Sequence, residues 1–146
     1  MSQTYQDAVE SLKTVMNASP ALYSVDDGRE LDFDTKKKHE WPRGFIRTEE
    51  SPITGGQGSV MIYLNFTLLC MGKVKKDRSD IVEVMSAMHT ALTNILATLN
   101  QQQLIYTEND VSLQPLYDYH DTLSSGWQVA IQVPMSKGYE CYTVPT

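Results

Sequence analysis

The sequence has little positive charge. Its 12 lysine and arginine residues are outnumbered by 18 aspartate and glutamate residues, which gives a formal net charge of −6 and a pI near 4.9. Nucleic-acid-binding domains usually carry a basic face that neutralises phosphates. The two basic runs, residues 36–38 and 73–78, are short and flanked by acids, which is typical of solvated loops. The charge balance therefore argues against nucleic-acid binding.

Cysteine and long apolar runs are scarce as well. Two cysteines, Cys70 and Cys141, are too few for a disulfide scaffold, and Cys70 lies in an apolar stretch where a small core side chain is expected. No run approaches 18 apolar residues, so we expect no membrane-spanning helix. The first ten residues lack the charged and apolar regions of a signal peptide. These absences predict folding in a reducing cytoplasm without a membrane partner.

Motifs for catalysis or ligand binding are missing. Gly55-Gly56-Gln57-Gly58 lacks the Lys-Ser/Thr of a P-loop and precedes a predicted strand. The acids between Asp26 and Asp34 lack the spacing of a calcium loop, and neither cysteine has a CxxC partner. We therefore expect no enzymatic activity and no cofactor.

The histidines are isolated from one another and form no metal-ligand pair; they are His39, His89 and His120. The cluster Asp118-Tyr119-His120-Asp121 has the residue types of a divalent-metal site or an acid–base pair. A polar hairpin turn has the same composition, and we favour that interpretation. No metal is expected.

What the sequence does contain fits one folded domain over residues 1–146. Hydrophobic residues make up 41% of the chain, and a chain of this size buries roughly 68–70% of its unfolded surface. The composition is that of a globular protein with a core of its own.

Helical periodicity predicts two helices. The first runs from about Tyr5 to Met16 and is capped by Thr4. The second begins at Ser79 or Asp80, with Glu83 in the capping-box position, and ends near Gln102. Their predicted buried stripes are Tyr5, Ala8, Val9, Leu12, Val15 and Met16, and Ile81, Val84, Met85, Met88, Leu92, Ile95, Leu96 and Leu99.

Alternation of apolar and polar residues predicts the main strands. In the strand 59–71, one face is wholly apolar, and the mixed opposite face needs cover that could come from another subunit. A second clear strand, 126–135, turns Trp127, Val129, Ile131 and Val133 to the core. Weaker strands are predicted at Leu31–Phe33, 44–48, 104–106 and 111–119, the last an edge strand because it contains Pro115. Turns are predicted at 26–28 and 120–125, and residues 49–59 are predicted to be a long loop by their glycine and proline content.

The order is helix, one or two strands, long strand, long helix, then two or three strands. It predicts an α+β domain with a mostly antiparallel sheet packed on one long helix, and with a short N-terminal helix.

This element order resembles that of tail terminator and related neck proteins of long-tailed bacteriophages. The segment from Asp118 to Cys141 is similar to the C-terminal signature of such proteins in phages of Bacteroidetes hosts, where an acidic turn leads to a Gly-Trp pair, an alternating strand, a proline and a late cysteine. The matching residues here are Asp121, Gly126-Trp127, Gln128 to Val133, Pro134 and Cys141. The resemblance covers the domain in outline and about its last quarter in residue detail.

The resemblance implies a virion protein that is assembled in the host cytoplasm. Such proteins form a ring, usually a hexamer, that caps the tail tube and contacts other tail and neck proteins. DNA would pass through it without specific binding, because an acidic lining repels phosphate. Two alternatives stay open: a tail tube subunit, and a small ferredoxin-like ligand-binding domain or enzyme, which a deep pocket with convergent polar groups would favour.

A ring subunit needs an adaptable segment and an adhesive surface. The loop 49–59 and the mixed face of the strand 59–71 have these properties, so we predict the subunit interface there. The predicted interface residues are Glu49, Glu50, Pro52, Ile53, Gly55, Gly56, Gln57, Met61 and Tyr63.

Overall fold

The computed structural model describes residues 4–28, 41–51, 53–56, 59–105, 111–117 and 123–135, with the backbone alone for 53–56 and 59–62. The elements are α1 (Tyr5–Asn17), β1 (Ser24–Gly28), β2 (Arg43–Thr48), β3 (Ile53–Gly56), β4 (Ser59–Lys73), α2 (Ile81–Gln101), β5 (Leu113–Tyr117) and β6 (Ser124–Pro134). Five strands form a sheet in the order β1-β2-β4-β6-β5, and β3 also pairs with β4. Only the β1–β2 pair is parallel. The predicted α+β fold is confirmed.

Both helices pack on one face of the sheet and form the main core with it. The predicted stripe of α1 is confirmed apart from Tyr5, which is 48% exposed and stacks on Phe66 at 6.0 Å. On α2, Ala91 joins the predicted buried residues, and Ile81, Val84 and Leu96 are only partly buried. The sheet contributes Phe66, Leu68, Cys70, Val129, Ile131 and Val133. Full burial of an aliphatic or aromatic side chain contributes about 1.5–3 kcal/mol.

The two helices begin differently. Thr4 caps α1 as predicted, because its Oγ1 accepts a hydrogen bond from the Asp7 amide at 3.1 Å. Asp80 is the N-cap of α2 but makes no capping hydrogen bond with its side chain. Its carboxylate instead accepts from the Lys75 amide at 3.0 Å. The capping-box prediction is wrong because this carboxylate closes the preceding turn.

The end of α2 replaces a predicted strand. Gln103 has a φ of 57°, its amide donates to the Asn100 carbonyl, and the Leu104 amide donates to the Leu99 carbonyl, each at 3.0 Å. These bonds are those of a Schellman motif. Residues 104 and 105 therefore terminate the helix, and Tyr106 lies outside the described residues.

The predicted turn at residues 26–28 is also wrong. These residues belong to β1, which pairs in parallel with β2 from Ser24↔Arg43 to Gly28↔Arg47. Opposite charges from other elements hold the two aspartates in the strand: Lys13 Nζ lies 2.9 Å from Asp27, and Arg43 lies 3.6 Å from Asp26. The predicted strand at Leu31–Phe33 lies outside the described residues.

Strands β5 and β6 complete the sheet. Pro115 lies in β5, at the edge of the sheet, as predicted. Strand β6 starts at Ser124, inside the predicted turn 120–125, because Ser124 and Ser125 pair with Lys73 and Gly72 of β4. Residues 118–122 are outside the described part of the chain.

The sheet face opposite the helices is buried at one end. Leu69 and Met71 are 0% exposed within a single chain and form a second cluster with Phe45, against which Trp41 and Leu116 pack. The cover that this face was expected to need comes from the same chain for Leu69 and Met71. Tyr63 and Asn65, further along β4, are half-buried.

Candidate functional site

Strand β4 extends beyond the body of the sheet as one side of a hairpin, residues 53–62, which we call the arm. Within the arm, β3 pairs with β4 from Ile53↔Ile62 to Gly56↔Ser59. The pairing of β4 with β6 ends at Tyr63↔Pro134, and its pairing with β2 ends at Thr48↔Phe66. Four residues of β4 therefore continue with β3 as their partner, which corresponds to a projection of about 13 Å.

The prediction that residues 49–59 form a loop is wrong for residues 53–56, which form strand β3 of this hairpin. Residues 53–56 form a strand although they include two glycines, because β4 supplies a continuous hydrogen-bonding partner. Gly55 and Gly56 lie in a strand, so the glycine cluster does not sit before a helix as a phosphate-binding loop requires.

The arm joins the sheet through a bulge. Between the pair Thr48↔Phe66 and the pair Ile53↔Ile62, the segment that joins β2 to β3 advances by five residues while β4 advances by four. One extra residue opposite a continuous strand is the defining feature of a β-bulge. Asn65 fixes this irregular segment. Its carbonyl accepts from the Glu49 amide at 2.9 Å, its amide donates to Ser51 Oγ at 3.1 Å, and its Nδ2 donates to the Glu50 carbonyl at 2.8 Å.

Glu49 contributes to the base of the arm with its side chain. The carboxylate forms an ion pair with Arg47 and accepts a hydrogen bond from Thr67 Oγ1 at 3.2 Å. Its charge is therefore compensated within its own chain. This predicted interface residue anchors the arm, whereas the neighbouring Glu50 is exposed.

The other predicted interface residues are brought together along the arm. Ile53, Gly55 and Gly56 lie on β3, Met61 lies opposite Thr54 on β4, and Tyr63 is where the arm meets the body. Pro52 and Gln57 lie outside the described residues. The prediction was made from composition, and the structure places four of its nine residues, Ile53, Gly55, Gly56 and Met61, on one hairpin.

The arm is suited to contact another chain through its backbone. An isolated two-stranded hairpin is marginally stable in water, and strand edges present unpaired amide and carbonyl groups that can pair with a neighbour. No charged residue occurs from Ser51 to Gly72. The arm therefore lacks the edge charges that usually discourage association between strands.

A second feature is a groove of about 1200 Å³ between α1 and α2. Sequence reasoning missed it, because no local signal shows that these two helices are neighbours. Its lining side chains are mostly small, and Glu83 is the one carboxylate among them. The Thr14 and Thr98 hydroxyls donate to carbonyls of their own helices, Glu10 and Asn94, at 2.8 and 3.0 Å. The wall is therefore largely apolar although its sequence is rich in serine and threonine.

Sequence reasoning also missed a buried charge on the second face of the sheet. Arg43 is 0% exposed, lies 3.6 Å from Asp26 and has its guanidinium 5.4 Å from the centre of the Trp41 ring. Removing one partner of a buried ion pair is strongly destabilising, because the other charge stays desolvated. We assign this pair a structural role in joining β1 to β2.

The earlier candidates for chemistry have ordinary surroundings where they are described. Burial raises the pKa of the Cys70 thiol to about 12, so at neutral pH it is protonated and not a nucleophile. His89 is exposed and packs edge-on against Trp127 at 5.0 Å. Over the described residues, no three His, Cys, Asp or Glu side chains form a group that could hold a metal ion. His39, the cluster Asp118–Asp121 and Cys141 lie outside them.

Comparison with known proteins found neither a matching family model nor a matching curated protein. In the part of the chain that the structure describes, neither helix is long and apolar enough to cross a membrane.

Proposed function

We propose that this chain is a structural subunit of a bacteriophage virion, a tail terminator or neck protein that assembles into a ring. In this role it would join the tail tube to the head–tail connector through contacts with copies of itself and with other tail proteins. Six subunits are the number that the resemblance implies. The subunit would need no cofactor and would catalyse no reaction.

The observation that carries the proposal is the arm. It continues β4 past the last pairs with β2 and β6, and its base is fixed by Asn65 and Glu49. A monomeric protein gains little stability from a two-stranded extension. A ring subunit would gain a projecting element that reaches its neighbour, and this element includes Ile53, Gly55, Gly56 and Met61 of the predicted interface.

The charge of the chain supports the same role. A net charge of −6 gives the DNA passing through a ring no general attraction to its wall. Transient passage requires this property, whereas a DNA-binding protein requires the opposite.

Shortening the arm tests the proposal. Residues 54–61 are replaced by Asn-Gly, which leaves Ile53 and Ile62 as the closing pair of a two-residue hairpin. We expect the variant to keep the melting temperature of the body, because the ladders of β4 with β2 and β6 are untouched. Light scattering and electron microscopy should show a ring for the wild-type chain and a monomer for the variant.

A matched control keeps the full length of the arm and carries only the substitution Gln57→Asn, because residue 58 is already glycine. This control should assemble like the wild type. A shortened variant that still forms rings would show that the arm is not the interface, and a wild-type chain that is monomeric at all concentrations would contradict the ring itself.

A tail tube subunit is the closest alternative, because a projecting arm serves a stacked tube as well as a single ring. Copy number per virion separates the two, since a terminator forms one ring and a tube protein forms many. The third candidate, a ferredoxin-like ligand-binding domain or enzyme, is favoured by the groove between α1 and α2. A monomer that binds a small molecule there would support it.

A further inference from the structure

We propose that the groove between α1 and α2 of one chain receives the arm of a second copy of the same chain. This inference rests on the proposed ring, and it adds the surface to which the arm binds. The contact joins two different surfaces, so it repeats from subunit to subunit in one direction, which is how rings are built.

The arm of a chain cannot occupy its own groove. Strand β4 is unbroken from Ser59 to Lys73, so its first four residues continue the line of the strand past the last pair with β6. The groove lies on the helical face of the same sheet, beside α1 and along α2. To reach it, the arm would have to break β4 near Tyr63. A neighbouring molecule can present its arm without such a break.

The distribution of charge matches these two surfaces. In a chain of which 21% is charged, residues 51–72 carry no charge, and Glu83 is the one Asp, Glu, Lys or Arg residue of the 21-residue helix α2. Elsewhere, two copies of a chain with net charge −6 repel each other. The arm and the groove are surfaces that can meet without bringing like charges together, and depletion of charge is characteristic of the centres of interfaces.

The chemistry of the groove fits the backbone of a narrow hairpin. Small side chains such as Ala87, Ala91 and Ala18 leave room for a close approach, and the arm itself contributes Gly55 and Gly56. Uncharged polar side chains on the groove wall, including Ser86 and Asn94, can hydrogen-bond to those backbone amides and carbonyls of the arm that do not pair with another described strand. A second carboxylate on this wall, in addition to Glu83, would be desolvated against an arm that carries no opposite charge.

Adding a charge to the groove tests this contact. Ala87 and Thr90 line the groove and are exposed in the single chain, so Ala87→Glu and Thr90→Glu should fold normally. We expect each variant to weaken self-association at least tenfold, measured by light scattering across a concentration series. The matched control is Ala97→Glu, which makes the same change at an exposed position of α2 outside the groove and should assemble like the wild type.

Mixing two defective variants gives a sharper test. The shortened-arm variant keeps an intact groove, and Ala87→Glu keeps an intact arm. Each alone should be monomeric. Together they should form a one-to-one dimer and nothing larger, because one arm–groove contact can form between them and the complementary contact cannot.

The outcomes separate this inference from the proposed function. If Ala87→Glu and Thr90→Glu fold and form normal rings, the groove is not the receptor of the arm, and the ring proposal stands. If the mixture of variants stays monomeric while the wild type forms rings, the arm binds another surface and the inference is likewise wrong. A wild-type chain that never self-associates would overturn both.

Discussion

Gly126 lies where two central strands come closest, and replacing it with alanine gives a sharp test of the sheet. It pairs with Met71 of β4. A Cβ atom added at Gly126 would lie 1.9 Å from the Cys70 carbonyl oxygen and 2.9 Å from the Met71 Cα atom. Both are backbone atoms of the central strand, so no side-chain rotation can relieve the contact. Strand β6 would have to move away from β4.

The expected loss of stability in Gly126→Ala has two contributions. Overpacking in a core costs about 1–3 kcal/mol, and displacing β6 would disturb ladder hydrogen bonds worth about 1 kcal/mol each. We therefore expect Gly126→Ala to lower the free energy of unfolding by about 3–5 kcal/mol. This is opposite in sign to the gain of about 0.4–1 kcal/mol that Gly→Ala gives where the alanine fits.

Gly72→Ala is the matched control in the partner strand. There the added Cβ would lie 2.7 Å from Val84 Cγ1, a side-chain atom. Val84 is half-buried and can rotate, and an off-rotamer side chain costs about 0.5–1.5 kcal/mol. We expect a loss of about 1 kcal/mol for Gly72→Ala, and its combination with Val84→Ala should remove the clash itself.

Urea denaturation followed by circular dichroism measures both changes. For an m-value of about 2 kcal/mol per M, Gly126→Ala should move the midpoint down by about 2 M, and Gly72→Ala by about 0.5 M. The reasoning is refuted if Gly126→Ala is as stable as the wild type, or if Gly72→Ala is the more damaging change.

Three further changes have outcomes that follow from burial and backbone geometry. Val129 is 1% exposed, so Val129→Asp should lower the free energy of unfolding, measured by thermal melting, by about 3 kcal/mol or more. Ala130→Asp, at the exposed neighbouring position of β6, should lower it by less than about 1 kcal/mol. Gln103→Gly should stabilise the fold by about 1 kcal/mol, because a φ of 57° is strained for a residue with a Cβ; an unchanged midpoint would contradict this. Cys70, with a pKa of about 12, should resist a thiol reagent at pH 8 in a Cys141→Ser background and react fully in urea. Rapid labelling of the native protein would show that the thiol is accessible.

The elements predicted best from sequence are those whose pattern repeats over many residues. In α1 and α2 the spacing of apolar residues indicates which face is buried, and a few errors do not alter the pattern. In β4 the alternation predicts the strand and its core face, but not the burial of Leu69 and Met71 on the opposite face. The Trp127–Val133 alternation of β6 is confirmed for the same reason. Its Trp127 is half-buried and donates from Nε1 to the Met85 carbonyl at 2.9 Å, a contact with a helix 42 residues earlier that no local pattern specifies.

Predictions failed where a distant partner decides the local structure. Asp26-Asp27-Gly28 has the composition of a turn, yet Arg43 and Lys13 stabilise the aspartates in a strand. Asp80 has the position of a helix cap, yet its carboxylate binds the Lys75 amide. Residues 53–56 have the composition of a loop, yet β4 extends far enough to pair with them.

For the candidate site too, features set by local composition could be predicted and features set by distant partners could not. The proposed interface residues from Pro52 to Tyr63 follow from composition alone, because glycine, proline and the absence of charge are local properties. The role of Glu49 could not be predicted, since it depends on Arg47 and Thr67 of two different strands. The groove could not be predicted either, because it exists only where α1 lies beside α2.

The energetics of a two-stranded hairpin support the proposal that the arm contacts a partner. Fixing the backbone costs about 1–2 kcal/mol per residue, and each hydrogen bond of the hairpin returns about 0.5–1.5 kcal/mol net. A two-stranded ladder has about one such bond for every two residues, so its own bonds do not balance the entropy of its ten residues. In the body, burial of Phe66, Leu68 and Cys70 against two helices closes this gap. In the proposed ring, contact of the arm with a neighbouring chain would supply what burial against α1 and α2 supplies in the body.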